Sequence, residues 1–419
     1  MPDDRPLPLW AGRTAALLGI LLVALSLRSS VAALSPIINL IVRDVPLSPL
    51  VLGIIGAAPP VTFAVTGLAT PWLSRRLGLE RSLLVAAILM AVGQVARAIA
   101  PNAFLLVVAT IVTLVGAAIG NVLLPPVVKR YFPDRITHVT TMYAVLISLS
   151  TALPALLAVP IATQFGWRTA LGVWFLIALA AVAPWIVASI AHLRERNAAR
   201  LAPVDDDVTP EPKLERSLVR SPVAWAIMIT FSISSINVYA FFAWLPSLLV
   251  DTAGVSRGEA GALLALYAIM GFPASLLIPY LAGRMRNIGL LLYVSVALFF
   301  VGDAGLVFAP SAAPILWVAF AGLGPLLFPL SLVLINARTR THAGSVALSG
   351  FVQGVGYIIA AASPLVFGLL EQATGSWIPS LCFLFVLTLA AIPAGIILSR
   401  GRFLEDELSK VVGLPRGHE

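Results

Sequence analysis

Charge is what this sequence has least of: only 11% of its 419 residues are Asp, Glu, Lys or Arg, against roughly a quarter in an average soluble domain. With 59% hydrophobic residues, that balance excludes an ordinary soluble domain and points to an integral membrane protein. Cysteine is almost missing as well. Cys382 stands alone, so neither a disulfide nor a thiolate metal site is available, and its place in the last apolar run reads as helix packing. The four histidines, His138, His192, His342 and His418, fall in or beside polar loops. Asp303 is the single acid well inside an apolar run, and it is expected to pack on a neighbouring helix or meet the outer interface. Enzyme chemistry at depth needs a paired acid and base or a metal cluster. The sequence offers neither, so the expectation is no enzyme, no cofactor and no metal.

Long apolar runs are abundant. A helix needs about 20 residues to cross a hydrocarbon core of about 30 Å, and twelve such runs recur at about 14–38, 50–72, 82–100, 103–127, 139–162, 169–191, 222–249, 259–282, 288–309, 313–336, 343–370 and 377–398. The net charge of +8 could suggest nucleic acid, but its distribution argues otherwise. With the N-terminus inside, the inner loops hold 22 of the 27 basic residues and the outer ends hold Arg43, Arg97, Arg168 and Arg257. This is the positive-inside bias of a cytoplasmic (inner) cell membrane protein with both termini cytoplasmic. Arg97, at a helix end, reads as interfacial. Arg28 alone is left inside a span.

The longest polar interval, Arg194 to Ser221, carries prolines, an acidic triplet and basic flanks, and divides the spans six and six. We therefore expect an N-terminal six-helix bundle over 1–193, a cytoplasmic linker over 194–221, and a C-terminal six-helix bundle with a short tail over 222–419. The halves look like copies. Pro36 and Pro246, Pro154 and Pro364, and Trp167 and Trp377 are each 210 residues apart, and PWLSRR (Pro71 to Arg76) returns as PYLAGR (Pro279 to Arg284) after 208. The first span has a partner in the seventh, so it belongs to the fold although Val31-Ala32-Ala33 imitates a signal-peptide cleavage site.

Two six-helix halves with a long central loop resemble the major facilitator superfamily. The loop after span two supports this: in PWLSRRLGLER, Arg76, Gly78 and Arg81 match the superfamily's Gly-x-x-x-Asp-Arg-x-Gly-Arg-Lys pattern, while Arg75 stands where the acid usually is. GNVLLPPVVKRYFPDR (Gly120 to Arg135), FGWRTALGVW (Phe165 to Trp174), Tyr239 followed by Trp244-Leu245-Pro246, and LSGFVQGVGY (Leu348 to Tyr357) look like its cyanate and nitroimidazole transporter branch. An arginine in the first span also marks that branch. The resemblance implies an all-α fold of twelve transmembrane helices in two pseudo-symmetric bundles, alternating access, and a conformational role for Arg76, Gly78 and Arg81.

Candidate solute contacts follow from polar groups at depth. Arg28 lies 15 residues past Arg13, about 22 Å along a helix, too deep to snorkel easily, and its burial costs at least about 2.5–3.5 kcal/mol. Ala24, Ala32, Ser35 and Asn39 share its face by helical spacing, a small and polar stripe. One reading is a substrate anchor that pairs with a small anion; the other is a structural arginine capping carbonyls near Pro36. The position 210 residues after Arg28 is Val238, flanked by Asn237 and Tyr239, so the charge is not repeated. Tyr239 and Trp244 are candidates to stack on a flat solute, and Gln353 and Tyr357, at i and i+4, to contact it. The substrate-binding set is thus Arg28, Asn39, Asn237, Tyr239, Trp244, Gln353 and Tyr357. Asn121 and Pro125 in span four read as a helix break or gate, Gln94 as interhelical glue, and Gly116 and Gly350 as points of close helix approach.

The expected activity is secondary active transport of a small anionic or polar planar solute, cyanate being the example the resemblance supplies. An exporter of small heteroaromatic compounds such as 2-nitroimidazoles is the alternative, and a membrane-embedded solute receptor without turnover is the reading from another class. The expected partners are the solute, the lipid bilayer and no nucleic acid; a coupling proton or ion stays open.

Overall fold

The computed structural model describes residues 13–201, 218–285 and 287–407. Twelve helices in it are long and apolar enough to cross a membrane: span 1 Thr14–Ala32, span 2 Ile54–Leu77, span 3 Leu79–Ala98, span 4 Ala103–Tyr131, span 5 Ile136–Phe165, span 6 Trp167–Leu193, span 7 Pro222–Ala253, span 8 Gly258–Arg284, span 9 Gly289–Phe308, span 10 Pro314–Ala337, span 11 His342–Thr374 and span 12 Ile378–Ser399. Their starts are written in capping residues. The side chains of Ser48, Asn102, Ser221 and Thr341 each accept a first-turn backbone N–H, and Ser256 with Glu259 forms a reciprocal capping box. Spans 2 and 3, and spans 5 and 6, meet with one residue between them. That residue is Gly78 (φ 86°, ψ 163°) or Gly166 (φ 84°, ψ 155°), a backbone region that a side chain all but forbids.

Three boundaries depart from expectation. Span 1 ends at Ala32 rather than near residue 38, because the chain turns through a 3₁₀ segment at Ser35–Ile37 and a short helix at Ile38–Asp44. Span 4 runs on to Tyr131 with Pro125 and Pro126 inside it. The helix of span 6 continues to Leu201, so the interval expected as a linker from 194 begins as helix; its residues 202–217 lie outside the described set.

Trp167 Nε1 donates to Asp44 Oδ2 at 2.8 Å, and Trp377 Nε1 donates to Asp251 Oδ2 at 3.0 Å. The same contact thus ties the start of span 6 and of span 12 to an acid 207 residues apart in the two halves, a structural copy of the sequence repeat. The first pair also includes the Arg168 guanidinium, 3.1 Å from Asp44 Oδ2. The indole N–H, and after it Arg168, hold the Asp44 carboxyl below the usual carboxylate range.

Candidate functional site

The Leu-Arg-Ser-Ser run breaks span 1 one turn before its end. The helix Thr14–Ser26 ends, Ser29–Ala32 restarts it, and Arg28 sits at the joint. Neighbouring hydroxyls take over the freed backbone groups: the Arg28 N–H donates to Ser150 Oγ of span 5 at 3.3 Å, Ser26 Oγ donates to Leu22 O and Ser29 Oγ to Ser26 O. The serines flanking the arginine therefore stabilise the break. Gln94 of span 3 steadies it from behind, donating to Ser29 Oγ at 3.1 Å.

The Arg28 side chain remains partly exposed. Its carbon Cζ stands 5.5 Å from the Phe63 ring and 5.6 Å from the Phe328 ring, within cation–π range, and Nη2 donates to Tyr357 Oη at 3.3 Å. Tyr239 lies beside the same guanidinium. Tyr357 is the hub of the aromatic wall: its ring is 5.1 Å from Phe63, 4.9 Å from Phe231 and 6.3 Å from Tyr239. Among the described residues no carboxylate pairs with Arg28. A fixed cation in an aromatic cage, with donors to spare, suits a small planar acceptor.

The halves meet through this group and below it. Asn121 of span 4 donates to Gln353 Oε1 at 2.6 Å and to Tyr357 Oη at 3.2 Å, while Gln353 Nε2 donates back to Asn121 O and to Ser349 Oγ. Ser349 Oγ in turn donates to Val122 O at 2.6 Å. Further toward the end that carries Arg13 and the 338–341 loop, here called the basic end, Lys129 Nζ donates to Asn336 O at 3.0 Å, to Thr339 Oγ1 at 2.8 Å and to Thr339 O. Spans 2 and 11 touch by backbone, since a Cβ on Gly67 would stand 3.0 Å from Gly354 Cα, and Gly350 abuts Pro71. The cross-half bonds therefore cluster at mid-span and toward the basic end, which is closed.

Of the expected substrate residues, Arg28, Tyr239, Gln353 and Tyr357 come together. Asn237 and Trp244 do not join them. Asn237 is fully buried between spans 7 and 12, donating to Ile233 O and Thr388 Oγ1. Trp244 donates to Pro364 O and stacks beside Trp377 at 5.9 Å, holding span 7 to spans 11 and 12. The side chain of Asn39 lies outside the described residues. Asn121, read as a helix break or gate, bonds across the halves, with Pro125 buried one turn below. Arg76 is exposed and lies over Trp72 at 4.3 Å; Arg81 is exposed too. Position 75 carries no acid; nearby Glu80, fully buried, accepts from Tyr131 Oη at 2.8 Å and pairs with Arg130 at 3.2 Å.

Phe63, Phe328, Ser150, Ser349 and Lys129 were not singled out as site residues. An aromatic in an apolar span and a lysine at a helix end carry no distinguishing signal on their own. Arg97 corrects an expectation: it is not interfacial but fully buried, as is Asp303, whose two carboxyl oxygens make no hydrogen bond. Gly116 does serve close approach, packing its Cα against the backbone of Ala86.

Twelve spans in two matching halves, with polar groups gathered at mid-membrane where the halves meet, define a polytopic membrane transporter. The sequence pattern of the Major Facilitator Superfamily matches residues 18–364, and the chain belongs to that family. It is 32% identical to the 2-nitroimidazole transporter of Escherichia coli (strain K12) over 394 residues, covering 93% of this chain and 96% of that one. It is 28% identical to the cyanate transport protein CynX of the same organism over 387 residues, covering 90% and 97%. Among solved structures it resembles the proton:xylose symporter XylE, with a TM-score of 0.69 at 14% identity over 95% of this chain and 98% of that one. The chain is a transporter and not an enzyme.

Proposed function

We propose that the protein is a secondary active transporter that moves a small, planar, anionic or polar solute, cyanate-like in charge and size, across the cytoplasmic membrane by alternating access. The observation that carries this reading is the Arg28 guanidinium, partly exposed, caged by Phe63, Phe328 and Tyr357 and with no carboxylate partner among the described residues. An anion there gains a charge-assisted, bidentate partner, and a bulky cation is repelled. The positive-inside bias supports a cytoplasmic basic end, and closure there fits a carrier that is not open to the cytoplasm. Solute and Tyr357 compete for Arg28. Binding therefore acts directly on a cross-half bond and, through Tyr357, on Asn121 and Gln353.

The aromatic wall favours a second reading, export of a neutral heteroaromatic such as a 2-nitroimidazole, in which ring stacking on Tyr357 and Tyr239 outweighs charge. The deciding experiment is flux of labelled cyanate and of a neutral nitroimidazole in proteoliposomes. For the anionic reading, Arg28→Lys retains part of the cyanate flux and Arg28→Ala loses it in a folded protein. Normal cyanate flux in Arg28→Ala refutes the anchor. Binding of either ligand by the wild type without any flux refutes transport in favour of a receptor.

A further inference from the structure

Arg97, near the end of span 3, is 0% exposed. Its Nη1 reaches only Gln94 Oε1, at 3.5 Å, the outer limit of a hydrogen bond, while Nε and Nη2 have no partner. A guanidinium stays charged in a protein, and a buried charge demands a counter-charge or full hydrogen bonding. None is within reach among the described residues. Spans 1, 2, 4 and 6, which surround span 3, contain no Asp or Glu. Span 3's own acid, Glu80, lies 17 residues away, about 25 Å along the helix, and is already engaged by Tyr131 and Arg130. Asp44, outside the spans, is engaged by Trp167 and Arg168. A merely structural arginine at a helix end would cap carbonyls, and these two nitrogens cap none.

The surroundings set the size of the missing partner. Span 3 packs tightly on either side of Arg97, with Gly93 against the Thr113 backbone and the Ala98 side chain against Gly172, and Arg97 has no exposed surface, which favours a small ion over an organic solute. The other amide end of Gln94 donates to Ser29, the residue after Arg28. Whatever Arg97 holds thus also fixes which way Gln94 faces the helix break.

We propose that Arg97 is the seat of a second anion site, filled by a small monovalent inorganic anion, which lies behind the span 1 break and steadies it through Gln94 and Ser29. This goes beyond the reading of Arg28, and the two fail separately. The test is thermal unfolding of the purified full-length protein in sodium chloride against sodium gluconate at equal ionic strength, gluconate being too large to enter. In the wild type the unfolding temperature rises with chloride, since a ligand held only by the folded state stabilises it. The rise persists in Arg28→Gln and vanishes in Arg97→Gln. Repeating the titration with cyanate distinguishes a halide-type ion from one of the carried kind: a cyanate shift that also depends on Arg97 assigns the latter, a chloride shift alone the former. Wild-type crystals soaked in bromide supply a readout that needs no variant, with an anomalous peak expected in contact with the Arg97 guanidinium. Equal unfolding temperatures in chloride and gluconate, a chloride effect that survives Arg97→Gln, or a water and no bromide at Arg97 would each overturn the proposal.

Discussion

The Lys129 contact gives the closed basic end a predictable strength. Lys129 leaves span 4 to donate to Asn336 O, Thr339 O and Thr339 Oγ1 at the C-terminus of span 10, where the helix dipole also favours a cation. Bonds from a charged donor are worth about 1.5–3 kcal/mol each in isolation. They share one ammonium, and ordering a lysine side chain forfeits about 2 kcal/mol of rotamer entropy, so the net bias toward closure is about 2–3 kcal/mol. Lys129→Met keeps the aliphatic stem and removes the charge, so it raises the population open at the basic end on the order of 30- to 100-fold, at 1.4 kcal/mol per factor of ten. A cysteine at Val346, buried on the face of span 11 that Ser349 and Gln353 share, reports that opening. On a Cys382→Ser background, needed because Cys382 is exposed, its labelling by a polar maleimide in detergent accelerates by the same factor, as long as closed molecules remain the majority. A rate within twofold of the Lys129 protein refutes the latch.

Two further outcomes follow from buried and paired acids. Asp303 is 3% exposed with both oxygens unpartnered, so Asp303→Val, which removes buried polar atoms at small cost in volume, raises stability by about 1–3 kcal/mol; a clear fall in unfolding temperature contradicts this. The Asp134 carboxyl, outside the spans, is held below its usual range first by the hydrogen bond from Arg13 and further by the nearby Arg13 and Arg135 charges. A depressed folded-state pKa contributes stability that is fully present above the unfolded value, about 3.9, and is lost as pH falls through the folded one. Asp134→Asn is therefore less stable than the wild type at pH 7, and the gap closes below about pH 4 in a pH series of unfolding temperatures.

Span number and the two-fold repeat were legible in the sequence because both rest on features that survive without tertiary information. Span length is fixed by bilayer thickness, and Trp167 and Trp377 recur because the same indole-to-aspartate contact is needed twice. Arg28 was legible because a guanidinium in an apolar run has few innocent explanations. Rotation about each helix axis was not. Arg97 and Lys129 sit at helix ends, and sequence depth alone equates them with loop charges, yet one turns wholly into the bundle and the other reaches across to span 10. Asn237 and Tyr239 are two residues apart on span 7, and only the packing of span 12 shows that the first faces Thr388 and the second Arg28. Spans that are apolar on every side leave no polar stripe to orient them. The link from Asn121 to Gln353, 232 residues apart, has no trace in local pattern at all.

The repeated contacts and the unrepeated ones divide the work. What the halves share, Trp167 on Asp44 and Trp377 on Asp251, is scaffold at the end opposite the latch. What they do not share is chemistry: Arg28 has Val238 for a counterpart, so one half supplies the cation and the other, through Tyr357, the group that occupies it. The bond between them is long, 3.3 Å, and joins a charged donor to a neutral acceptor, so an anion of the kind proposed above would displace Tyr357 at a net gain. That exchange frees one cross-half contact but leaves Lys129 on span 10 untouched. Since the latch is worth about 2–3 kcal/mol by the reasoning above, the exchange of one long charge-assisted hydrogen bond, at or below the lower end of about 1.5–3 kcal/mol, is too small by itself to open the basic end. Solute binding therefore weakens the closed state without ending it, and the rest must come from contacts formed only in the opposite conformation. Lys129→Met removes the latch alone, so a solute-dependent acceleration of Val346→Cys labelling multiplies the faster rate of that variant by the same factor as the rate of the protein that keeps Lys129.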